Sequence, residues 1–170
     1  SWLNPISQPI KKLTNKTNEK PKFDKTKYSL SEPSSLWVVV NKQKGISANY
    51  EPANLRQPNI PLRSSGSGEM LLRDDSATAL EKLVSSAEKA GISLMLVSGH
   101  RSFGLQQAVY NGNVSREGQA NADKTSARPG HSEHQTGLAA DLGAVNGTCQ
   151  LQECFGDTPE GKWLAKNAYK

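Results

Sequence analysis

Sulfur and imidazole are scarce in this chain of 170 residues, which has two cysteines and three histidines. The second cysteine pair that a zinc knuckle needs is missing. Aromatic residues are 6% of the chain, too few among its N-terminal lysines to give a base-stacking platform. No run of about 18 apolar residues occurs, so no helix of this sequence is expected to span a membrane. Hydrophobic residues make up 35%, and mean hydropathy is −0.64, low for a compact domain, with the shortfall mainly at the N-terminus. No signal-peptide pattern is visible; the chain opens on Ser1 rather than Met, so that absence says nothing of a leader. No internal repeat is apparent.

Positive charge is in excess, with a formal net charge of +5 and a pI near 9.2. Lys11, Lys12, Lys16, Lys20, Lys22, Lys25 and Lys27 crowd the N-terminal end. That composition, without apolar period, predicts a disordered basic tether over residues 1–34 rather than a nucleic-acid site. An anionic cell-envelope surface would attract such a tail. The remaining residues, 35–170, suffice for a single domain with a modest core.

Order is expected from Leu36-Trp-Val-Val-Val40, a β-branched run with strand character. Residues 43–70, with Gly45, Pro52, Pro58, Pro61, Gly66 and Gly68, read as an extended wrap. Asp75 or Ser76 can cap a helix whose apolar positions Ala77, Leu80, Leu83, Val84, Ala87 and Ala90 recur at three- and four-residue steps, with Gly91 as its stop. Ile92 to Val97 reads as a strand ended by Ser98-Gly99, and Phe103 to Asn111 as a helix. Residues 112–130 read as a long functional loop in which Glu117 and Asp123 are solvated. Thr158 caps a last helix with Pro159 at its first position. Trp37 and Trp163 are assigned to the core.

Chemistry concentrates in Pro129-Gly-His-Ser-Glu-His-Gln-Thr-Gly-Leu-Ala-Ala-Asp141. Imidazole and carboxylate are ligand types of catalytic Zn²⁺, and His134 and Asp141 stand on either side of a Gly137 turn. Leu138 to Leu142 reads as a short buried strand delivering Asp141 at its end. Upstream, Ser98-Gly-His-Arg-Ser102 sets a forked, permanently charged Arg101 at a strand end, suited to a carboxylate or a developing oxyanion. Cys149 and Cys154 are close enough to favour a local disulfide in an oxidising compartment, worth about 2 kcal/mol on the chain-entropy model; two free thiols or half of a metal site are the alternatives.

The strings Ser98-Gly-His-Arg-Ser-Phe-Gly-Leu-Gln106 and Ser126-Ala-Arg-Pro-Gly-His-Ser-Glu-His-Gln-Thr-Gly-Leu-Ala-Ala-Asp141 resemble the VanY-type zinc D-alanyl-D-alanine carboxypeptidases. That group includes L,D-carboxypeptidases that trim bacterial cell-wall peptides. Trp37-Val-Val-Val-Asn41 and Phe155-Gly-Asp-Thr-Pro-Glu-Gly-Lys-Trp-Leu164 extend the resemblance over roughly residues 35 to 170. It implies an α+β fold, VanY/hedgehog-like, in which a small antiparallel sheet with flanking helices holds zinc. His134 and Asp141 would be Zn²⁺ ligands. Arg101 would polarise the scissile carbonyl or stabilise the oxyanion, with His100 in the place of the usual Tyr. Gln106 and Ser132 match positions near the substrate, and Ser126 and Arg128 lie in the same loop. The implied substrates are peptidoglycan stem peptides, acted on outside the cytoplasm by a secreted or envelope-tethered enzyme.

The departures are as informative. Family members carry, after the last helix, strands with a Glu-Pro-Trp-His motif supplying the general base and the third zinc ligand. No such motif occurs in residues 1–170. His131, three residues before His134, and His100, beside Arg101, fit the missing ligand poorly, and Glu133 is expected to point away from the metal. The domain is therefore expected to be truncated before its last strands and inactive alone. Two functions stand: a zinc carboxypeptidase releasing C-terminal D-alanine, and a non-catalytic cell-wall peptide-binding remnant.

Overall fold

The computed structural model describes residues 28–64 and 68–170; most of the expected tether, residues 1–27, lies outside them. The architecture is α+β, with two small antiparallel sheets and four helices among the described residues. In one sheet β1 (Leu55–Arg56) pairs with β2 (Leu72–Arg73). In the other β3 (Leu94–Ser98) pairs with β4 (Asp141–Ala144).

Helix α1 (Asp74–Lys89) follows β2 directly and buries Ala77, Leu80, Val84 and Ala87, the stripe its three- and four-residue spacing predicts. These pack with Met70, Leu72, Leu94 and Leu96 into the core. Burying an aliphatic side chain of this size contributes about 1.5–3 kcal/mol, so the stripe rather than a cap holds the helix. Arg73, not Asp75 or Ser76, takes the cap position, and its side chain makes no capping bond. The Ser76 hydroxyl instead donates to Leu138 O at 3.1 Å. Arg56 clamps β1 to α1, bonding Asp74 at 2.5 Å and Glu81 at 2.6 Å.

Every residue of β3 is buried. β4 lines one edge, and the Pro61–Arg63 segment lines the other through Leu96 N to Pro61 O and Arg63 N to Leu96 O, both 2.9 Å. Sequence and structure part over β4. Asp141 begins the strand instead of ending it, because Leu138–Ala140 find no partner on β3. Leu96 faces Leu142 and Ser98 faces Asp141, which leaves a bulge in β3 beside Asp141.

Helix α2 (Phe103–Glu117) is longer than expected, and α3 (Gln119–Thr125) occupies much of the supposed 112–130 loop. Tertiary contacts outweigh weak propensity here: Tyr110 and Ala122 are buried, and the Tyr110 hydroxyl donates to Asp123 at 2.7 Å. Asp123 is accordingly paired rather than solvated, also accepting from Arg128 Nε at 2.8 Å.

The run Leu36–Val40 forms no strand. Only Val40 is buried; Trp37 is 54% exposed, against the expectation of a core position, and meets the Tyr28 ring edge-on. Residues at the end of the expected tether are engaged: Leu30 O accepts from Val39 N, and Pro33 O from the Tyr50 hydroxyl, both at 3.0 Å.

Cys149 and Cys154 form a disulfide in the segment after β4. Helix α4 (Pro159–Asn167) starts as its sequence predicts, with the Thr158 hydroxyl accepting from Gly161 N at 3.1 Å. Trp163 and Leu164 pack partly against the core. Between α1 and α4 lies a groove of about 930 Å³ whose wall includes Leu83, Phe155, Trp163 and Asp141.

Candidate metal and substrate site

The site forms where the chain leaves β3. Gly99 passes so close to the backbone of residues 69–71 that a Cβ would sit 2.4 Å from Leu71 O. Its N–H bonds Glu69 O and the N–H of His100 bonds Leu71 O, each at 2.6 Å. Only glycine fits this path. Ser102 then caps α2, accepting from Leu105 N at 3.2 Å, which sets Arg101 between a strand end and a helix start. Arg101 N donates to His134 O at 3.1 Å, sewing this turn to the 3-10 turn Glu133–Thr136. Gly137 ends that turn at φ 71°, and the chain reaches Asp141 four residues on.

His134 and Asp141 converge, with Nε2 and Oδ2 3.3 Å apart. The other nitrogen, Nδ1, lies 2.6 Å from Gly99 O. A carbonyl only accepts, so Nδ1 carries the proton. Nε2 can then face Asp141 in two ways. As the second N–H of an imidazolium it donates to the carboxylate; that hydrogen bond holds the Asp141 carboxyl below the usual range, with burial opposing. As a bare lone pair it is a metal ligand beside a second one. Tetrahedral zinc with bonds of about 2.0–2.1 Å sets neighbouring donors about 3.3 Å apart, so the pair fits two corners of such a site. The Nδ1–carbonyl bond is the outer support a metal-bound imidazole needs. Among the described residues no third His, Cys, Asp or Glu completes a metal-binding group.

A cavity of about 400 Å³ opens beside this pair, lined by Arg101, Gln106, Ser126, Ser132, His134 and others. Arg101 is anchored by donating Nη1 to Gln106 Oε1 at 2.9 Å and Nη2 to Ser98 Oγ at 3.1 Å. Its Nε is buried without a hydrogen-bond partner, 4.0 Å from Glu69 Oε1. Gln106 is itself buried, and its NH₂ donates to Ala127 O at 2.7 Å and Ser126 Oγ at 3.5 Å. Its amide is thus committed to Arg101 and the following loop. Ser132 is buried in the cavity wall. Arg128 instead lines a second cavity of about 270 Å³ and bonds Asp123 through two nitrogens.

His100 is buried beneath the site, with Nε2 3.6 Å from Glu51 Oε2. Burial lowers its pKa, helped by His134 and opposed by Glu51. His131 faces the cavity, its Nδ1 donating to Asn41 O at 2.8 Å. Glu133 also lines the cavity, because its segment is a tight 3-10 turn rather than an extended strand. The sequence reading passed over Lys42, which lines both cavities. Its position directly after the Trp37–Asn41 string is the signal the sequence offers.

Residues 69–170 match the VanY family, D-alanyl-D-alanine carboxypeptidase. A protein of Bacillus subtilis (strain 168) described as a putative carboxypeptidase, YodJ, is 37% identical over 84% of this chain and 52% of its own length. The solved LdcB LD-carboxypeptidase superposes with a TM-score of 0.77 at 38% identity, covering 81% of this chain and 65% of that one. A vancomycin-resistance D,D-pentapeptidase VanY variant, solved with Zn(II), gives 0.60 at 27% identity, covering 78% and 71%. The chain spans about half the length of the curated relatives it matches. With this fold and this match over residues 69–170, the chain belongs to the VanY D-alanyl-D-alanine carboxypeptidase family.

Proposed function

We propose that this chain carries the zinc- and peptide-binding face of a carboxypeptidase that removes C-terminal D-alanine from bacterial cell-wall peptides outside the cytoplasm. The observation that carries this is the convergence of His134 Nε2 and Asp141 Oδ2 at 3.3 Å, with Nδ1 tied to Gly99 O. His134 and Asp141 would hold zinc, which when bound lowers the pKa of a coordinated water and polarises a carbonyl. Arg101, held in place by Gln106 and Ser98, lines the cavity, where its guanidinium can meet an oxygen gaining negative charge. Low exposure strengthens that interaction, because fewer waters compete. The general base and third ligand would come from residues outside this set.

A peptide-binding role without catalysis is favoured by one observation: among the described residues no third metal-binding side chain joins His134 and Asp141. Two measurements on the purified protein decide. Zinc content should fall sharply in His134→Ala and in Asp141→Ala, and full zinc occupancy in both would overturn the ligand assignment. D-alanine release from cell-wall pentapeptides and tetrapeptides then separates enzyme from binder.

A further inference from the structure

A carboxypeptidase must hold two groups at once, the reacting carbonyl and the free carboxylate that marks the chain end. Arg101 is fixed beside His134 by Gln106, Ser98 and its own backbone N–H. A second cation faces the same cavity from the opposite side of the sequence, and the family motifs do not account for it. Lys42 lines both the 400 Å³ cavity and the 270 Å³ cavity, which also share Ser126 and His131.

Lys42 makes no carboxylate hydrogen bond, although its charge also acts on the nearby Asp123 carboxylate. Its ammonium donates to the backbone carbonyl of Asp123 at 2.5 Å, not to the carboxylate. That carboxylate is taken up by Arg128 Nε at 2.8 Å, Arg128 Nη2 at 2.7 Å and the Tyr110 hydroxyl at 2.7 Å. An ammonium has three N–H groups, so two stay free for a ligand. The residue is also presented on a fixed turn. Asn41 Oδ1 accepts from Gln43 N and Lys44 N, each at 2.8 Å, and Asn41 N donates to Lys44 O at 2.9 Å. His131 Nδ1 donates to Asn41 O at 2.8 Å, and Ile46 N donates to Gly130 O at 2.8 Å, which lock this turn against the loop carrying Ser132 and His134. Gly45 packs on the His131 ring so tightly that a Cβ would lie 2.9 Å from Cε1. A solvent-exposed lysine on so heavily bonded a turn is placed for a ligand rather than for packing.

We propose that Lys42 binds a free carboxylate of the peptide substrate, leaving Arg101 to the reacting carbonyl. This rests on reading the cavity as a peptide site. The carboxylate has two possible sources, the terminal D-alanine or an acidic residue earlier in the peptide.

Calorimetric titration of the zinc-loaded protein tests this without requiring turnover. The ligands are acetyl-lysyl-D-alanyl-D-alanine, its C-terminal amide, and amide-terminated peptides with and without an internal carboxylate. Wild type should prefer the carboxylate-bearing member of one pair by about tenfold, the worth of one charge-assisted hydrogen bond. Lys42→Met should lose that preference while binding the neutral member as before, and Lys42→Arg should keep most of it. The pair that responds identifies the source. Unchanged discrimination in Lys42→Met, with wild-type binding intact, would overturn the assignment of Lys42 alone. If wild type binds none of the peptides, the peptide-site reading falls and takes this inference with it.

Discussion

Gln106 Oε1 accepts a hydrogen bond from Arg101 Nη1 at 2.9 Å while its NH₂ group donates to Ala127 O at 2.7 Å. One buried amide thereby couples the guanidinium of the site to the loop that leads to Ser132 and His134. Both N–H groups of Gln106 are taken, by Ala127 O and Ser126 Oγ, and its buried oxygen already holds Arg101, so its contribution is orientation. Gln106→Ala should lower kcat/KM of the active enzyme by about 5- to 150-fold, the equivalent of about 1–3 kcal/mol for stranding a buried polar group. Zinc content should not change. A fall in zinc content equal to the loss of activity would show that Gln106 supports the metal pair instead.

Acid should expose the Arg56 clamp. Glu81 accepts from Arg56 and from Asn59 N, and hydrogen bonding from Arg56, foremost, lowers its carboxyl from 4.5 to about 2. A depressed folded pKa means the stabilisation is full above about pH 4.5 and fades as pH falls toward 2. Glu81→Gln should therefore melt below wild type at neutral pH, and the gap should close between about pH 4.5 and 2. Thermal melts across that range give the answer; a gap independent of pH would mean the ion pair is not its source.

Much of the site was legible because it is encoded locally. Ser98–Gln106 and Pro129–Asp141 are contiguous strings whose spacing already sets a charged fork at a strand end and two ligand types around a glycine turn. What the sequence hid depends on partners far along the chain. Asp141 opens β4 because β3 supplies pairing only from Ser98 inward, a register no local pattern states. Leu36–Val40 reads as strand by composition, yet no neighbouring strand receives it, and Trp37 remains exposed. The helix starting at Phe103 is expected to stop at Asn111 before a loop, yet α2 runs to Glu117 and α3 follows at Gln119. Lys42 was invisible for a similar reason: its place in the cavity comes from a turn bonded to His131, 89 residues away in sequence.

The disulfide bears on stability rather than on the cavity. Cys149 and Cys154 close a short loop in which Cys149 and Leu151 both hold positive φ, at 54° each. Intact mass of protein exported to an oxidising compartment should be about 2 Da below the reduced chain, from two lost thiol hydrogens. Cys149→Ser with Cys154→Ser should cost about 2 kcal/mol in denaturant unfolding. Rapid alkylation of both cysteines without reductant would contradict the bond in that compartment.

Arg101 separates substrate chemistry from metal binding. Its guanidinium is fixed through Nη1 and Nη2, so a ligand oxygen meets a donor set that needs no rearrangement as charge grows. Interactions that strengthen only in the transition state raise kcat, whereas a clamp on a ground-state carboxylate lowers KM. If Lys42 holds the carboxylate, Arg101→Lys should depress kcat by about 10²–10³, the usual cost of one oxyanion donor, with KM little changed. Lysine should rescue little, since a single ammonium cannot bond Gln106 and Ser98 and still present a planar fork to the cavity. Zinc content should equal wild type, because neither His134 Nε2 nor Asp141 Oδ2 bonds Arg101. A rise in KM with kcat nearly intact would instead make Arg101 the carboxylate clamp and remove the division of labour with Lys42.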